Sequence, residues 1–532
     1  MNRPTNVLLI TADQWRGDCL SAVGHPTVRT PYLDALAADG VLFRSHFAQC
    51  APCGPSRASL LTGMYLMNHR SVRNGTPLDA RFTNIALEMR RLGYDPALIG
   101  YTDTALDPRP RDPRDPALAT YAGTLPGFTQ LIPGSEGSEA WVRYLVDRGL
   151  AVTAETVYSP VVGYPGADRR GPTFAPPRYS AEDSETAFDV NAALRYMAHQ
   201  KAPWFLHLSL LRPHPPFIAP EPYHAMYDPD RVPPFRGAAS PAEEAALHPY
   251  VAYMLRHFYE RERHDPARHP AEARAMRQLR ATYYGLMTEV DDHVGRIVAF
   301  LKESGHYDDT LIVFTTDHGE QLWDHWVLGK EFFFDQSFHI PLLVRAPGRA
   351  MDAGRGRAEE AFTESIDVMP TILDLLGAEP PLQCDGASLR PLLAGATPPG
   401  WRQAVHWELD FRAVVEAGPE RELGIALDDC SLAVVRNRRH KYVHFAALPP
   451  LFFDLARDPD ELHDCATSPH HAGDALRLAQ AMLSWRLGSA DRTLTGIKLT
   501  GSGPVERPRS RRFAPPSEAA ASAGAADDPP TR

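Results

Sequence analysis

The chain has 532 residues, 44% of them hydrophobic and 23% charged, so it has the composition of a globular protein and the length for more than one domain. Its formal net charge of −11 argues against general binding to nucleic acid or to an anionic membrane surface. Six cysteines are few for this length, and no stretch resembles a signal peptide or a membrane span, so we expect a cytoplasmic protein without membrane contact.

Short apolar runs alternate with helical patterns over the first 376 residues. Residues 6–11 (NVLLIT) predict a buried strand, and residues 30–40 predict the helix that follows it. Further strands are predicted at 97–100, 204–211 and 310–315, and further helices at 184–200 and 277–304. This alternation predicts an α/β fold with a large, mostly parallel sheet flanked by helices.

Two regions interrupt the alternation. Residues 107–183 are rich in Pro, Asp, Arg and Gly and predict long loops that lie over a site. Residues 215–275 combine proline turns with a charged helical stretch and predict an insertion. We expect residues 1–376, with both regions, to form one domain.

Beyond this domain the apolar pieces become shorter. The strands predicted at 441–445 and 451–455, with a helix at 471–487, indicate a smaller C-terminal subdomain with an antiparallel sheet over residues 377–500. Residues 501–532 are dominated by Pro, Ala, Ser and Arg and predict a flexible tail or arm.

The stretch CAPCGPSRASLLTG, residues 50–63, holds a cysteine beside a predicted helix. Pro55 suits the first turn of a helix over residues 56–62, and Gly63 suits its end. Cys53 would then lie at the helix N-terminus, where the dipole favours a negative or polar oxygen, with Arg57 one turn further on. For these residues alone, a buried free thiol beside a surface arginine remains the alternative.

Polar side chains follow four of the predicted strands. The carboxyl ends of parallel strands share one edge of a sheet, so we expect these side chains to meet there. Carboxylates with imidazole suit one divalent metal such as Mn²⁺ or Ca²⁺, whereas each residue alone could be a turn residue or a helix cap. The residues are Asp13 and Gln14 after 6–11, Tyr101 and Asp103 after 97–100, His214 after 204–211, and Asp317 and His318 after 310–315.

Motifs along nearly the whole chain resemble those of formylglycine-dependent sulfatases in the alkaline phosphatase superfamily. The motifs are CGPSR at 53–57, LTG at 61–63, TADQ at 11–14 and TTDHGE at 315–320. The segments RSVRNGTPL at 70–78, GYTDT at 100–104 and LRPHPPF at 211–217 are most similar to the phosphonate monoester hydrolase branch. The resemblance implies an alkaline phosphatase/sulfatase-like fold.

The resemblance also implies the chemistry of Cys53. A formylglycine-generating enzyme, acting as a transient partner, would oxidise Cys53 to formylglycine (3-oxoalanine), whose aldehyde hydrates to a geminal diol. One diol oxygen would attack phosphorus or sulfur, with a metal lowering its pKa. The other hydroxyl would then lose its proton, so that the hemiacetal collapses and expels phosphate or sulfate.

Site roles follow from the same resemblance. Asp13, Asp317, His318 and the oxidised Cys53 would hold one metal, and Arg57 would hold the formylglycine oxygen. Gln14 stands where many sulfatases have an aspartate, and His318 replaces their usual asparagine. These two changes favour Mn²⁺ over Ca²⁺.

The substrate-facing residues include two departures from the family pattern. Asn74, His214 and Lys330 match positions that bind the substrate's oxygens or protonate the leaving group. Tyr101 stands where sulfatases carry a lysine that grips sulfate, and Asp103 stands where the phosphonate branch has a neutral hydroxyl residue. Gln14 is the fourth member of the substrate-binding set formed with Asn74, Tyr101 and Asp103.

The resemblance predicts a metal-dependent hydrolase of phosphonate monoesters and phosphodiesters, with side activity on sulfate esters, that acts on a small anionic ester. It also predicts a homotetramer in which C-terminal segments reach a neighbouring copy. One alternative is an arylsulfatase or alkylsulfatase, against which Tyr101 and Gln14 argue. The other is a non-catalytic phosphate- or metal-binding protein, which would have no need of the convertible Cys53.

Overall fold

The computed structural model describes residues 5–134, 138–201, 203–260, 273–415 and 418–506. Within these ranges the largest sheet has 8 strands, in the order β4-β3-β5-β1-β6-β7-β2-β8. β7 runs antiparallel to both of its neighbours, and the other pairs are parallel, so the predicted mostly parallel sheet is confirmed. The strands are β1 Asn6–Ala12, β2 Val41–Phe43, β3 Pro96–Gly100, β4 Thr129–Pro133, β5 Phe205–Leu210, β6 Thr310–Thr315, β7 Leu342–Arg345 and β8 Arg357–Glu359.

Helices cover both faces of this sheet. The longer ones are α1 Pro31–Ala38, α2 Cys53–Thr62, α3 Ile85–Arg91, α4 Glu139–Asp147, α5 Glu185–His199, α6 Pro249–Glu260, α7 Ala273–Glu303, α8 Val368–Leu375 and α9 Ala472–Ser489. Shorter ones are Leu66–His69, Ala167–Arg170, Pro241–Ala245, Asp335–Phe338, Arg390–Leu393 and Pro419–Leu423. Among the helices within the described ranges, none is both long and apolar enough to cross a bilayer.

The central strand β1 is buried on both faces, which explains its unbroken apolar run. Val7 and Leu9 pack into one hydrophobic cluster with Leu61 of α2. Leu8 and Ile10 pack into the cluster on the other face, which includes residues of α7. A strand between two helical layers needs apolar side chains at every position, so its sequence does not alternate.

The C-terminal part contains a 4-stranded antiparallel sheet in the order β9-β10-β11-β12, as predicted. Trp407, Val434 and Phe445 of this sheet belong to the same hydrophobic cluster as the main sheet. An exposed hairpin follows α9. The strands are β9 Ala404–Asp410, β10 Ser431–Asn437, β11 His440–Phe445 and β12 Leu451–Asp454, and the hairpin pairs β13 Ile497–Thr500 with β14 Gly503–Glu506.

The region 107–183, predicted as long loops, holds regular structure. It contains β4 and α4, and Trp141 and Leu145 of α4 form a small separate cluster with Tyr179. The prediction missed β4 because it is an edge strand with partly exposed residues, which gives it no buried apolar run.

In the region 215–275, which is predicted as an insertion, Tyr250 and Leu255 of α6 lie in the main core. The domain boundaries at 376 and 500 stay predictions, and the β13–β14 hairpin crosses the second one. Residues 507–532 of the predicted tail lie outside the described residues.

Candidate active site

The candidate metal ligands come from three elements that meet at the carboxyl edge of the main sheet. Asp13 follows β1, Asp317 and His318 follow β6, and Cys53 is the first residue of α2. Each of the four offers one ligand atom, and these atoms lie within 4.8 Å of one another. The structure therefore brings together the whole predicted metal-binding set.

Cys53 is the centre of this cluster and is only 4% exposed. Its Sγ lies 3.0 Å from Lys330 Nζ, 3.2 Å from His318 Nε2 and 4.0 Å from Asp13 Oδ1. Burial and the charge of Asp13 raise the pKa of the Cys53 thiol well above its usual value. An unmodified Cys53 is therefore a protonated thiol and a poor nucleophile.

Arg57 holds the two aspartates in place. Its Nη2 donates to Asp13 Oδ2 at 2.9 Å and its Nε donates to Asp317 Oδ2 at 3.0 Å. Its Nη1 donates to Ser209 Oγ at 2.7 Å and to the Tyr101 carbonyl at 3.1 Å. The positive charge of Arg57 is thus balanced mainly by the carboxylates. Its predicted contact with a formylglycine oxygen stays a prediction.

Asp13 and His318 are in the protonation states that a metal needs. Although burial opposes it, the charges of His214, Arg57 and Lys330 hold the pKa of Asp13 well below its usual value. His318 Nδ1 donates to the Gly319 carbonyl at 3.0 Å, which leaves a lone pair on Nε2, and burial lowers the pKa of His318. Two carboxylates and a neutral imidazole fit one divalent metal ion.

Gln14 points at Lys330. Its Oε1 accepts a hydrogen bond from Lys330 Nζ at 2.9 Å, and its Nε2 donates to Glu320 Oε2. Glu320 Oε1 in turn accepts from the amides of Leu322 at 3.0 Å and Gly329 at 2.6 Å. Glu320 was not among the predicted site residues, although its place three residues after Asp317 in the motif TTDHGE could have indicated it.

His214 lies on the loop after β5, where Arg212 fixes the backbone. Arg212 Nη1 donates to the carbonyls of His214 at 2.9 Å and Pro216 at 2.8 Å. His214 Nδ1 donates to the Pro215 carbonyl at 2.6 Å, so its Nε2 is an acceptor. Burial lowers the pKa of His214 to about 4. Arg212 was not predicted, because its role depends on where the loop folds back.

The other predicted substrate residues lie at different depths. Asn74 is exposed, and its Oδ1 accepts from the Gly54 amide at 2.8 Å. Tyr101 is buried, with its hydroxyl donating to Asp13 Oδ2 at 2.6 Å and its ring 4.2 Å from the Arg57 guanidinium carbon. Asp103 Oδ2 lies 3.9 Å from Arg57 Nε, and burial raises the pKa of Asp103 to about 6.

A family model described as sulfatase matches residues 5–378. The chain belongs to the sulfatase family. A model for the C-terminal part of N-sulphoglucosamine sulphohydrolase matches residues 323–487 of this sulfatase-family chain. The chain is therefore a hydrolase of ester bonds.

Similarity to three relatives extends over almost the full length of this sulfatase-family chain. The multifunctional alkaline phosphatase superfamily protein PehA of Trinickia caryophylli is 46% identical, covering 94% of this chain and 99% of the relative. The crystal structure of the phosphonate monoester hydrolase of Agrobacterium radiobacter is similar with a TM-score of 0.89 at 47% identity, covering 95% of this chain and 100% of the other. An arylsulfatase of Clostridium perfringens is 25% identical, covering 94% of this chain and 98% of the relative.

A second solved structure has nearly the same likeness. The phosphonate monoester hydrolase SpPMH from Silicibacter pomeroyi has a TM-score of 0.88 at 43% identity, covering 96% of this chain and 100% of the other. BT1596, a 2-O GAG sulfatase of known structure, has a lower TM-score of 0.60 at 17% identity, covering 92% of this chain and 92% of the other. At that distance the likeness concerns the fold alone.

Proposed function

We propose that this enzyme hydrolyses phosphonate monoesters and phosphodiesters with a formylglycine formed from Cys53. The observation that carries the proposal is the position of Cys53, whose Sγ contacts Lys330 Nζ at 3.0 Å and His318 Nε2 at 3.2 Å. A nucleophile at that point lies beside both a cation and the candidate metal ligands. The 47% and 43% identity to solved phosphonate monoester hydrolases supports this substrate class.

The metal in this proposal is Mn²⁺, with Ca²⁺ as the alternative, held by Asp13, Asp317, His318 and the oxidised residue 53. The imidazole of His318 supports Mn²⁺, because Ca²⁺ prefers ligands that are all oxygen. A bound ion of this kind lowers the pKa of an oxygen that it coordinates and offsets negative charge on the ester.

Lys330 is our candidate for the proton donor to the leaving oxygen. Although burial opposes it, the Cys53 sulfur, Asp13 and Asp317 hold the pKa of Lys330 above its usual value. The two carboxylates remain when Cys53 is oxidised, so we expect Lys330 to be charged at neutral pH. His214 is neutral at that pH, and its Nδ1–H donates a hydrogen bond to the Pro215 carbonyl. Its Nε2 can accept a hydrogen bond or a proton, so we expect His214 to orient the substrate or to take up a proton.

The charge balance of the site favours substrates with a single negative charge. The charge of Arg57 is offset by Asp13 and Asp317, which leaves Lys330 and the metal to meet the substrate. Asp103, whose pKa is about 6, adds a carboxylate near the same place. A phosphate monoester dianion would find fewer compensating cations than a phosphonate monoester or a phosphodiester.

The burial of Cys53 restricts when the formylglycine-generating enzyme can act on it. A side chain that is 4% exposed cannot reach the active site of another enzyme, so we propose that the formylglycine-generating enzyme acts before the chain folds around α2. We also propose a homotetramer, which the exposed apolar side chains of α9 and the C-terminal hairpin support. The cytoplasmic compartment stays a prediction.

A comparison of four substrates with the same aryl leaving group tests the proposal. We would measure kcat/KM for a phosphonate monoester, a phosphodiester, a phosphate monoester and a sulfate ester, with Mn²⁺-loaded enzyme co-expressed with the converting enzyme. We expect the first two to exceed the phosphate monoester by at least about tenfold, roughly 1.4 kcal/mol of transition-state stabilisation, and Asp103→Thr to narrow this gap.

Two results would contradict the proposed substrate class. A preference for the sulfate ester would identify the chain as an arylsulfatase that tolerates Tyr101. A preference for the phosphate monoester would mean that a second cation lies near the substrate. No turnover of any of the four by enzyme whose Cys53 is converted would favour the binding-protein alternative.

A further inference from the structure

A second cluster of metal-ligating side chains lies in the C-terminal part of the chain and shares no residue with the active site. It consists of His440 at the start of β11, Asp454 at the end of β12 and His471, which precedes α9. His440 and Asp454 are direct partners in the antiparallel register, which places their side chains on the same face of the sheet. Each of the three offers one ligand atom, and these atoms lie within 4.8 Å of one another.

The cluster holds three buried polar atoms without a hydrogen-bond partner, namely His440 Nε2, Asp454 Oδ2 and His471 Nδ1. His440 is 6% exposed and Asp454 is 2% exposed. A buried polar atom without a hydrogen-bond partner destabilises a fold. Unpartnered polar atoms on three neighbouring residues suit a ligand that bonds to all three side chains.

The surroundings satisfy only the carboxylate of this cluster. The ring of Phe452 packs against both imidazoles, with centroid distances of 5.1 Å and 5.7 Å. Arg439 Nη2 and Arg457 Nε lie 3.6 Å and 3.9 Å from Asp454 Oδ2. These ion pairs come from exposed arginine side chains and reach only the carboxylate, so the two imidazole nitrogens are left without a partner.

The donor atoms at this point favour a cation. Asp474, in the first turn of α9, adds a second carboxylate whose charge acts on His440. Two imidazoles with one carboxylate suit an ion that binds nitrogen and oxygen together.

We propose that His440, Asp454 and His471 bind Zn²⁺. This site is chemically different from the candidate catalytic site, where oxygen donors outnumber nitrogen. The ion would join the edge of the C-terminal sheet to the start of α9. Its role would be to fix α9, whose Leu478 and Trp485 pack against Tyr65 shortly after the end of α2.

The test must separate this site from the catalytic one, which can also take Zn²⁺. We would therefore use the full-length chain without an affinity tag and with Asp13→Asn and Asp317→Asn, strip it with a chelator, and dialyse it against micromolar free Zn²⁺. Elemental analysis should find one equivalent of zinc. Zinc should also raise the thermal unfolding midpoint of this double variant.

Matched histidine variants locate the ion. Adding His471→Gln or Asp454→Asn should remove the equivalent of zinc and the rise in midpoint. Adding His470→Gln, which changes the exposed neighbour of His471, should leave both unchanged. Far-ultraviolet circular dichroism of the zinc-free variants checks that α9 is still folded.

Absence of zinc from the double variant at micromolar free Zn²⁺ would overturn the proposal. Retention of the full equivalent in both His471→Gln and Asp454→Asn would overturn it too, because the ion would then lie elsewhere. If His471→Gln unfolds α9, Asp454→Asn decides between these outcomes, since it keeps the size of the side chain.

Discussion

At the scale of single residues, the active site depends on how the carboxylates around Cys53 are fixed. Asp13 Oδ2 accepts from both Arg57 and Tyr101, while its Oδ1 faces Cys53 Sγ and His318 Nε2 at 4.0 Å and 3.9 Å. One oxygen is thus used for orientation and the other is directed at the proposed metal position. Arg57 and Tyr101 therefore act on the metal site through Asp13.

Replacing a proposed metal ligand should remove the metal. We expect Asp13→Ala, Asp317→Ala and His318→Ala each to lose bound Mn²⁺ and most activity, because a site with so few protein ligands tolerates little loss. The measurement is manganese content after dialysis, with the exposed-site variant Asp112→Asn as the control. Stoichiometric manganese in all three variants would show that the metal lies elsewhere.

Much of the site could be predicted from the sequence, because its members stand directly after strands or within short motifs. The directions of the side chains could not be predicted. The substrate contact of Gln14 stays a prediction, and its hydrogen bonds with Lys330 and Glu320 were not predicted. Ser209 was missed because a serine inside a buried strand gives no signal of its contact with Arg57.

At the scale of elements, β3 and β5 lie in close backbone contact at Gly100. Its φ is +100°, and a Cβ there would lie 2.0 Å from the Ser209 carbonyl oxygen. Ser209 also holds Arg57 through its hydroxyl. A change in the distance between the two strands at Gly100 would therefore move Ser209, and with it Arg57.

Gly100→Ala should disturb both stability and activity. The left-handed φ costs about 1–2 kcal/mol, and the clash with β5 adds about 1–3 kcal/mol. Gly93→Ala is the matched control, since Gly93 has a φ of +87° and nothing within 4 Å of the added Cβ. We would compare urea unfolding and kcat/KM, and equal losses in the two variants would argue against the strand contact.

Helix α1 is capped by a side chain from another helix. Asp291 of α7 accepts hydrogen bonds from the amides of Leu33 at 2.7 Å and Tyr32 at 3.1 Å. Burial raises the pKa of Asp291 from 3.8 to about 7. The folded chain therefore holds a proton there that the unfolded chain releases at lower pH.

This raised pKa predicts a loss of stability as the pH rises. The protonated Asp291 contributes its full stabilisation below the pKa that it has in the unfolded chain, and this contribution is lost as the pH rises through its pKa in the folded chain. Between about pH 5 and pH 8 the free energy of unfolding should therefore fall by roughly 3 kcal/mol. In Asp291→Asn the free energy of unfolding should fall less over this pH range, because the titrating carboxyl is gone. In the control Asp147→Asn, at an exposed site, it should fall as much as in the wild type. Urea unfolding at both pH values measures the difference. Identical pH dependence of the wild type and Asp291→Asn would refute the assignment.

The main elements followed from sequence because burial dictates their pattern. The continuous apolar run of β1 indicates burial on both faces, and Gly63, with a φ of +71°, ends α2 where predicted. The helix begins at Cys53, earlier than the predicted 56. Partly exposed β4 has no continuous apolar run, so its position could not be predicted from local sequence. The sequence of α6 is largely apolar, but local sequence does not indicate which part of the core it packs into.

At the scale of the whole molecule, the C-terminal part exposes apolar side chains. Leu487 of α9 is 72% exposed and Leu499 of the β13–β14 hairpin is 80% exposed. Clustered exposed apolar side chains are typical of surfaces that contact another protein. They lie in the part of the chain that we expect to reach a neighbouring copy.

Leu487→Asp combined with Leu499→Asp should weaken the proposed tetramer, because charges would be buried at the subunit contact. Light scattering at micromolar concentration should then detect smaller species than in the wild type. The exposed Val162→Asp is the control and should stay tetrameric. A wild type that is strictly monomeric would contradict the assembly proposal.

The mass of the peptide that carries residue 53 is the most direct test of the central claim, that the buried cluster acts through an oxidised Cys53. In protein co-expressed with a formylglycine-generating enzyme, we predict the mass loss that corresponds to replacing CH₂SH by CHO. We also predict that kcat rises in proportion to the converted fraction, and that Cys53→Ala is inactive. Full activity with an unmodified Cys53, or undiminished activity of Cys53→Ala, would contradict the account.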